Sequence, residues 1–186
     1  DRFLAFTRAL GMQVLAKVAG PQPEAVQQAL DCGADGVVIP HIRDAAHAAE
    51  ICAVAKFPPR GTRSYFGGRP VNYRRPADTF YAAEDARTRC FPMIETPSSL
   101  DEVEAIAALD VVDGLFPGPS DLALSSGRGT YRCDETDQAA IVRCAQAARR
   151  SAAPRRGDVH GPRLGQGGDG FQRGRVPRPR HGDAGV

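Results

Sequence analysis

The sequence predicts an α/β fold of the (β/α)₈ TIM-barrel type, incomplete, with about four central βα units. Short apolar runs alternate with helix-like segments through residues 1–150, which is the rhythm of a parallel α/β protein. No hairpin signal separates these runs, and the unbroken apolar run 37–39 is typical of a strand buried on both faces. Right-handed crossovers would place the strands parallel and adjacent, as in the middle of a barrel.

The first two βα units each combine an apolar strand with a helix that has clear ends. Val26 and Leu30 lie on one apolar face of the first helix, and Gly33 follows its end. Asp44 is the predicted N-cap of the second helix, and the Pro58–Pro59 pair stops it. The predicted strands of this half are 12–20 and 35–40, and the predicted helices are 23–33 and 43–57.

The next two units follow a long polar loop, 58–76, which exceeds a simple connection and is therefore a candidate for function. Leu100 and Ile106 keep helical spacing, with Ser98 or Ser99 as the predicted cap. The predicted strands here are 90–95 and 112–118, and the predicted helices are 77–87, 98–109, a short turn at 120–127, and 134–150.

Residues 151–186 are a different kind of polymer, with nine Gly, seven Arg and four Pro. This composition buries too little apolar surface to offset the entropy of ordering, so we expect a disordered or out-of-frame tail after a partial barrel domain at 1–150. Arg-Gly segments can bind RNA, but here the repeats are irregular and aromatic residues are scarce. A frame or assembly artefact is therefore favoured over a nucleic-acid partner, and the start at Asp1 without Met suggests an incomplete chain.

Composition excludes several classes of protein. The chain has 186 residues and a net charge of +2, and it contains no apolar run of the roughly 18 residues that a membrane helix needs. The amino terminus lacks the pattern of a signal peptide, so a cytoplasmic location without membrane contact is the default. Five scattered cysteines show no metal-ligand spacing and indicate small buried side chains in a reducing compartment.

Two carboxylates follow the ends of neighbouring predicted strands. Glu95 ends the strand in "FPMIET", and Asp121 comes one βα unit later in "PGPSD". Adjacent strands lie about 4.8 Å apart, and two carboxylates that close repel each other unless a cation lies between them. Hard oxygen ligands of this kind indicate a Mg²⁺- or Mn²⁺-type site. The alternative is that Glu95 caps the next helix and Asp121 caps the turn that it opens.

Four segments resemble the class II, divalent-metal-dependent pyruvate aldolases, the 2,4-dihydroxyhept-2-ene-1,7-dioate (4-hydroxy-2-oxoheptanedioate) aldolase and citrate lyase family. The resemblance covers about residues 12–150, and the MIET and GPSDL motifs are specific in combination. The segments are "GADGVVIPHIRDAAHA", "FPPRGTRSYF", "FPMIETPSSLDEVEAI" and "VDGLFPGPSDLALSSG".

This resemblance implies a TIM-barrel lyase in which Glu95 and Asp121 hold a divalent cation: Mg²⁺, with Mn²⁺ or Co²⁺ as alternatives. It implies that the backbone around Ser120 and Asp121 holds the carboxylate of pyruvate. The implied reaction is retro-aldol cleavage of a 4-hydroxy-2-oxo acid to pyruvate, or a related 2-oxo acid, and an aldehyde through a metal-stabilised enolate. Homo-oligomers are usual in such proteins.

The resemblance also assigns catalytic roles to Lys17 and Asp31. Lys17 stands where the family has an arginine that clamps substrate oxygens, so the charge is kept and the planar fork is lost. A structural strand-end lysine is the alternative. Asp31 matches a carboxylate that raises the basicity of the family's catalytic histidine, for which residues 1–16 contain no match. We therefore expect the chain to be impaired as an enzyme.

Three further residues have two interpretations each. Met93 matches a substrate-contacting position, or is a core residue on the strand face of Glu95. Arg63, near Arg60 and Arg69 in the polar loop, binds an acidic substrate or a neighbouring subunit, or is solvated. His41 edges the pocket, and a role without catalysis is favoured. The rival functions are a non-catalytic metal- or partner-binding remnant and a nucleic-acid binder through the tail.

Overall fold

Four parallel strands form the framework of the structure, a computed structural model that describes residues 2–68, 71 and 73–151. The strands are β1 (Leu15–Lys17), β2 (Gly36–Ile39), β3 (Arg89–Ile94) and β4 (Phe116–Pro117). Their order in the sheet is β1-β2-β3-β4, and every neighbouring pair is parallel. The predicted parallel, sequential sheet of a partial barrel is confirmed, while the predicted tail at 151–186 lies, after Ser151, outside the described residues.

The helices connect the strands in βα order and match most of the predicted segments. An additional amino-terminal helix, α1, was not predicted, and its Phe3 and Phe6 are exposed. The helices are α1 (Arg2–Ala9), α2 (Pro23–Asp31), α3 (Ala45–Ala53), α4 (Phe80–Arg87), α5 (Pro97–Asp101), α6 (Val103–Ala107), α7 (Pro119–Ser125) and α8 (Glu135–Ser151). In the described part of the chain, no helix is both long and apolar enough to cross a bilayer.

The first and last strands are shorter than the sequence predicts. The apolar runs at 12–20 and 112–118 are real, but only residues that meet a neighbouring backbone join the ladder. Val18 donates to the carbonyl of Val38 just past the end of β1, and Asp113 donates to the carbonyl of Cys90 before β4 begins. Apolar composition therefore does not mark the ends of pairing, and Met12, Leu15 and Phe116 within these runs are exposed.

One face of the sheet packs against α3 and α6. Val37 and Ile39 of β2 and Cys90 and Ile94 of β3 are fully buried in a cluster with apolar side chains of those helices. Since side chains alternate along a strand, the residues between them face the other way. Glu95 follows Ile94 and therefore shares the opposite face with Met93.

The helix after β3 starts and continues differently from the prediction. Its N-cap is Thr96, whose hydroxyl accepts from the N–H of Ser99, while the Ser99 hydroxyl accepts from the N–H of Thr96, which is a capping box. The predicted cap at Ser98 or Ser99 is thus wrong. The predicted single helix also breaks at Glu102 into α5 and α6. The predicted Asp44 cap is confirmed, since its carboxylate accepts from the N–H of His47.

A buried polar cluster holds the amino end of the sheet. Lys56 is fully buried, and its ammonium donates to the carbonyls of Asp85 and Thr88. The same ammonium lies 2.9 Å from a carboxylate oxygen of Asp113, which also accepts from the N–H of Cys90. The cluster therefore ties the chain after α3 to the starts of β3 and β4.

Candidate active site

Glu95 lies immediately after the last residue of β3, at the carboxyl end of the sheet. It is 2% exposed, which is unusual for a carboxylate without a cation beside it. The strand brings it there because Ile94 is anchored in the core and pairs with Pro117 of β4. The carboxylate is therefore positioned by the sheet itself and not by a flexible loop.

The two oxygens of the Glu95 carboxylate have different surroundings. Oε1 accepts from the backbone N–H of His41 at 2.5 Å and lies 3.0 Å from His41 Nδ1. Oε2 is buried and has no hydrogen-bond partner among the residues that the structure describes. A buried acceptor left unpaired is costly, so Oε2 marks a place where a ligand would be favourable.

Gly118 makes the space beside this free oxygen. Its N–H donates to the carbonyl of Ile94, which holds β4 against β3 at this point. A Cβ added to Gly118 would lie 2.9 Å from Glu95 Cβ and 3.2 Å from Oε2. The absence of a side chain at Gly118 therefore allows the backbone to approach Glu95 closely.

Helix α7 carries the second predicted carboxylate over the same end of the sheet. The hydroxyl of Ser125, in the last turn, donates to the backbone carbonyl of Glu95. Asp121 and Ser120 lie in the first turn and are both exposed. Their helix thus starts directly after β4 and is fastened to the residue that follows β3.

Neither carboxylate acts as a helix cap. The residue that caps α5 is Thr96, and the N-cap position of α7 is Gly118, with Asp121 three residues further on. The alternative interpretation from the sequence, in which Glu95 and Asp121 are caps, is therefore wrong. Both carboxylates are left available for another purpose.

Met93 and Lys17 lie on the same face of the sheet as Glu95. Met93 is 5% exposed, and its Cε would be 3.2 Å from a Cβ on Gly118. Lys17, the exposed last residue of β1, pairs in register with Val38, which in turn pairs with Phe91. Since paired residues of parallel strands share a face, Lys17 is two strands, or about 10 Å, from β3.

Asp31 and Arg63 lie together but at the other end of the sheet. The Arg63 guanidinium is 3.0 Å from the Asp31 carboxylate and stacks on the ring of Phe57. Asp31 ends α2, shortly before β2 begins, and the backbone N–H of Arg63 donates to the carbonyl of Lys56. These contacts place the pair near the amino ends of the strands, beside a cavity of about 580 Å³ along α2 that Asp31 lines.

The donor set at the carboxyl end fits a hard divalent cation. Within residues 2–68, 71 and 73–151 the structure contains no group of three or more His, Cys, Asp or Glu side chains that could hold a metal. What it offers is a buried carboxylate oxygen without a partner and an exposed Asp on the neighbouring helix. Mg²⁺ and similar ions are commonly bound by one or two carboxylates, with water and substrate oxygens completing the shell.

Sequence reasoning missed the contact between His41 and Glu95. It placed His41 only at the edge of a pocket, because spacing along the chain does not give the register of strands more than 50 residues apart. The pairing of Ile39 with Pro92 puts His41 beside the end of β3. The signal in the sequence is a histidine directly after a strand and a proline, which becomes informative once that register is known.

Three comparisons relate the chain to known proteins. A sequence model described as HpcH/HpaI aldolase/citrate lyase matches residues 2–154. The 4-hydroxy-2-oxovalerate aldolase of Novosphingobium aromaticivorans is 35% identical over 114 residues, which are 61% of this chain and 43% of that protein. The 4-hydroxy-4-methyl-2-oxoglutarate aldolase of Chaetomium globosum is 43% identical over 105 residues, 55% of this chain and 39% of that protein.

A solved structure shows the same fold. The HpcH/HpaI aldolase of Desulfitobacterium hafniense superposes with a TM-score of 0.72 at 23% identity, covering 80% of this chain and 57% of that one. At this identity the likeness concerns the fold alone. The chain spans less than half the length of the two curated relatives above.

Proposed function

Because the chain belongs to the HpcH/HpaI aldolase/citrate lyase family, we propose that it serves a carbon–carbon lyase activity at the Glu95 end of the sheet. The proposed reaction is cleavage of a 4-hydroxy-2-oxo acid to pyruvate, or a related 2-oxo acid, and an aldehyde. Glu95 and Asp121 would hold a divalent cation, with Mg²⁺ as the first choice and Mn²⁺ or Co²⁺ as alternatives. Relatives named as aldolases of such acids support the substrate class.

The buried, unpaired Oε2 of Glu95 is the observation that carries this proposal. A structural carboxylate would be satisfied by a cap, a guanidinium or an ammonium, as the buried Asp137 is by the guanidinium of Arg128. Glu95 instead presents one oxygen to the space beside Gly118, on the side where α7 begins. A ligand that supplies positive charge is the simplest complement to that oxygen.

The protein groups around this oxygen have separate tasks in the proposed reaction. When bound, a divalent cation would polarise the 2-oxo group and stabilise the negative charge that develops as the C3–C4 bond breaks. Glu95 and Asp121 would position it. The first N–H groups of a helix lack intrahelical partners, so those of Ser120 and Asp121 can donate to the substrate carboxylate.

The other residues of this face complete the proposed binding site. Met93 supplies an apolar surface beside Gly118, against which the C3 carbon of the substrate can pack. Lys17 supplies a positive charge on the edge strand for a substrate oxygen. Asp31 and Arg63 are left out of this set, because their contacts place them towards the opposite end of the strands. Their predicted roles remain predictions outside the site proposed around Glu95.

Cation binding is the first test, because it does not depend on turnover. We expect Mn²⁺ to bind the chain in calorimetric titration and Glu95→Gln to raise the dissociation constant by on the order of 100-fold or more, since a lost ligand costs more than a lost supporting residue. Asp121→Asn should have a similar effect. Glu50→Gln, on an exposed position of α3, is the matched control and should bind as the parent does.

Pyruvate formation is the second test. Release of pyruvate from a 4-hydroxy-2-oxo acid, coupled to lactate dehydrogenase, should depend on added Mn²⁺ or Mg²⁺ and be lost in Glu95→Gln. Cation binding without any pyruvate release would favour the non-catalytic metal-binding alternative. Equal Mn²⁺ affinity in the parent and in Glu95→Gln would refute the assignment of the site.

A further inference from the structure

We infer that the His41 side chain is a positioning residue that holds Oε1 of Glu95 and leaves Oε2 as the single oxygen offered to a cation. This inference rests on the function proposed above and assigns a task to a residue outside the proposed pair of cation ligands. It depends on three features of the structure: the backbone conformation of His41, its two contacts with one oxygen, and the burial of the other oxygen.

The backbone of His41 adopts a conformation that brings its backbone N–H and its imidazole Nδ1 to Glu95. His41 has φ of 60°, in the left-handed region that non-glycine residues rarely occupy. It follows β2 and Pro40, where the strand has left its ladder. Such a conformation persists where surrounding contacts fix it, and the contacts in this case are those to Glu95.

Both contacts of His41 reach the same carboxylate oxygen. The backbone N–H donates to Oε1 at 2.5 Å, and the imidazole Nδ1 lies 3.0 Å from Oε1. The N–H contact is a hydrogen bond, and the ring contact is a close polar approach of Nδ1 to the same oxygen.

The result is a carboxylate with one oxygen held by His41 and one oxygen without a hydrogen-bond partner among the described residues. With the backbone N–H bonded to Oε1 and the imidazole Nδ1 beside it, rotation that would exchange the two oxygens costs that hydrogen bond and the ring contact. Oε2 stays buried beside Gly118 without a partner in the described chain. Supporting residues of this kind fix a ligand in the geometry that the cation requires, and their loss typically weakens metal binding by about 10- to 100-fold.

The His41 ring is mostly exposed, which argues against a role in packing. Its side chain is 67% exposed, whereas the Glu95 side chain that it touches is 2% exposed. A ring that buries so little of itself contributes little apolar stabilisation. The contact of the His41 ring with the buried Glu95 carboxylate therefore accounts for the position of the ring.

Two substitutions separate the imidazole from the backbone of His41. His41→Gly keeps the left-handed conformation and the backbone N–H and removes only the ring. His41→Asn tolerates the same conformation and places an amide donor close to the position of Nδ1. We expect the Mn²⁺ dissociation constant to rise about tenfold or more in His41→Gly and to recover most of that loss in His41→Asn.

The readouts are Mn²⁺ affinity by calorimetry, the electron paramagnetic resonance line shape of the bound Mn²⁺, and thermal unfolding without metal. A positioning role predicts altered affinity and line shape with little change in the metal-free melting temperature. Unchanged affinity in His41→Gly, in a parent that binds Mn²⁺ through Glu95, would overturn this inference and leave the proposed function intact. A parent that binds no Mn²⁺, or that binds it no more tightly than Glu95→Gln does, would overturn both this inference and the proposed function.

Discussion

Single residues decide whether the end of β3 can hold a ligand. Glu95 supplies the charge, but Gly118 supplies the room, since the backbone at Gly118 occupies the position where a side chain would meet the carboxylate. Glycine is required at position 118 because the backbone lies close to Glu95 and Met93. A left-handed backbone is not the reason, since φ of Gly118 is −111°. Alanine is therefore allowed by the backbone and opposed only by the neighbours.

Gly118→Ala should damage the site more than the fold. The new Cβ would come within 2.9 Å of Glu95 Cβ and 3.2 Å of Met93 Cε, so both side chains must shift. We expect Mn²⁺ affinity to fall about tenfold or more, as for a displaced ligand, and the free energy of unfolding to fall by about 1–3 kcal/mol, as for an overpacked position. Calorimetry and urea denaturation measure the two effects.

Gly114→Ala is the matched control for that substitution. Its Cβ would meet the ring of Phe91 at 2.9 Å, and no contact with Glu95 is involved. The control should lose some stability and keep the parent affinity for Mn²⁺. If Gly118→Ala binds Mn²⁺ as tightly as Gly114→Ala does, the space beside Oε2 is not where the cation lies.

At the scale of elements, α8 depends on a buried carboxylate at its start. Asp137 is 2% exposed and accepts from the backbone N–H of Arg132 and from the guanidinium of Arg128. Burial alone raises the pKa of Asp137. The N–H of Arg132 and the Arg128 guanidinium lower it by more than burial raises it, so the pKa lies below its ordinary value. The ionised form is therefore the one that stabilises the fold.

This direction gives a pH dependence with a defined sign. A carboxylate whose pKa is lower in the folded state stabilises the fold above its unfolded pKa, about 4, and loses that contribution as the pH falls through the folded value. Asp137→Asn should therefore unfold at lower urea concentration than the parent at pH 7, and the difference should shrink steadily below about pH 4. Unfolding by urea from pH 7 to pH 3 measures it.

Glu135→Gln, at an exposed position in the same first turn, is the control for the charge near the helix start. It removes a negative charge from the same turn without breaking the contacts of Asp137. If the stability difference between Asp137→Asn and the parent stays constant over the whole pH range, the pKa of Asp137 is not lowered in the folded state. A loss of stability in Asp137→Asn no larger than that in Glu135→Gln at pH 7 would contradict it as well.

The order of elements could be predicted from the sequence, whereas only some of their ends could, such as the Asp44 cap of α3. Apolar periodicity depends on local burial, so helices such as α2 and α8 and the parallel order of the strands follow from it. The start of α5 depends on one hydroxyl, that of Thr96 before Pro97, which competed with two following serines. The break at Glu102 depends on packing across the fold: its carboxylate accepts from the N–H of Ala45.

The site shows the same division between local and long-range information. Glu95 and Asp121 could be singled out because each comes within a few residues of the end of a predicted apolar strand. The free oxygen on Glu95, the support from His41 and the space at Gly118 all depend on the register of β2, β3 and β4. Register is set by the packed sheet as a whole, and a single sequence does not display it.

For the whole molecule, the proposed site lies at the carboxyl end of the sheet, and a buried lysine cluster stabilises the amino end. The Lys56 cluster joins three separate segments, through two carbonyls and the carboxylate of Asp113. Replacing Lys56 would leave two buried carbonyls without their donor, at about 1–3 kcal/mol each, beside an Asp113 side chain that is 17% exposed and stays partly hydrated. That loss is a large part of the roughly 5–15 kcal/mol that holds a domain folded.

Lys56→Met should therefore lower the free energy of unfolding by about 2–6 kcal/mol in urea denaturation at pH 7. Lys17→Met is the matched control, because it makes the same change at an exposed lysine and should alter stability by less than about 0.5 kcal/mol. Adding Asp113→Asn to Lys56→Met should cost less than the sum of the two single changes, since the charge left behind is removed with it. Equal losses in the two lysine variants, or strict additivity in the double variant, would show that the amino end of the sheet is held by packing and not by this buried charge.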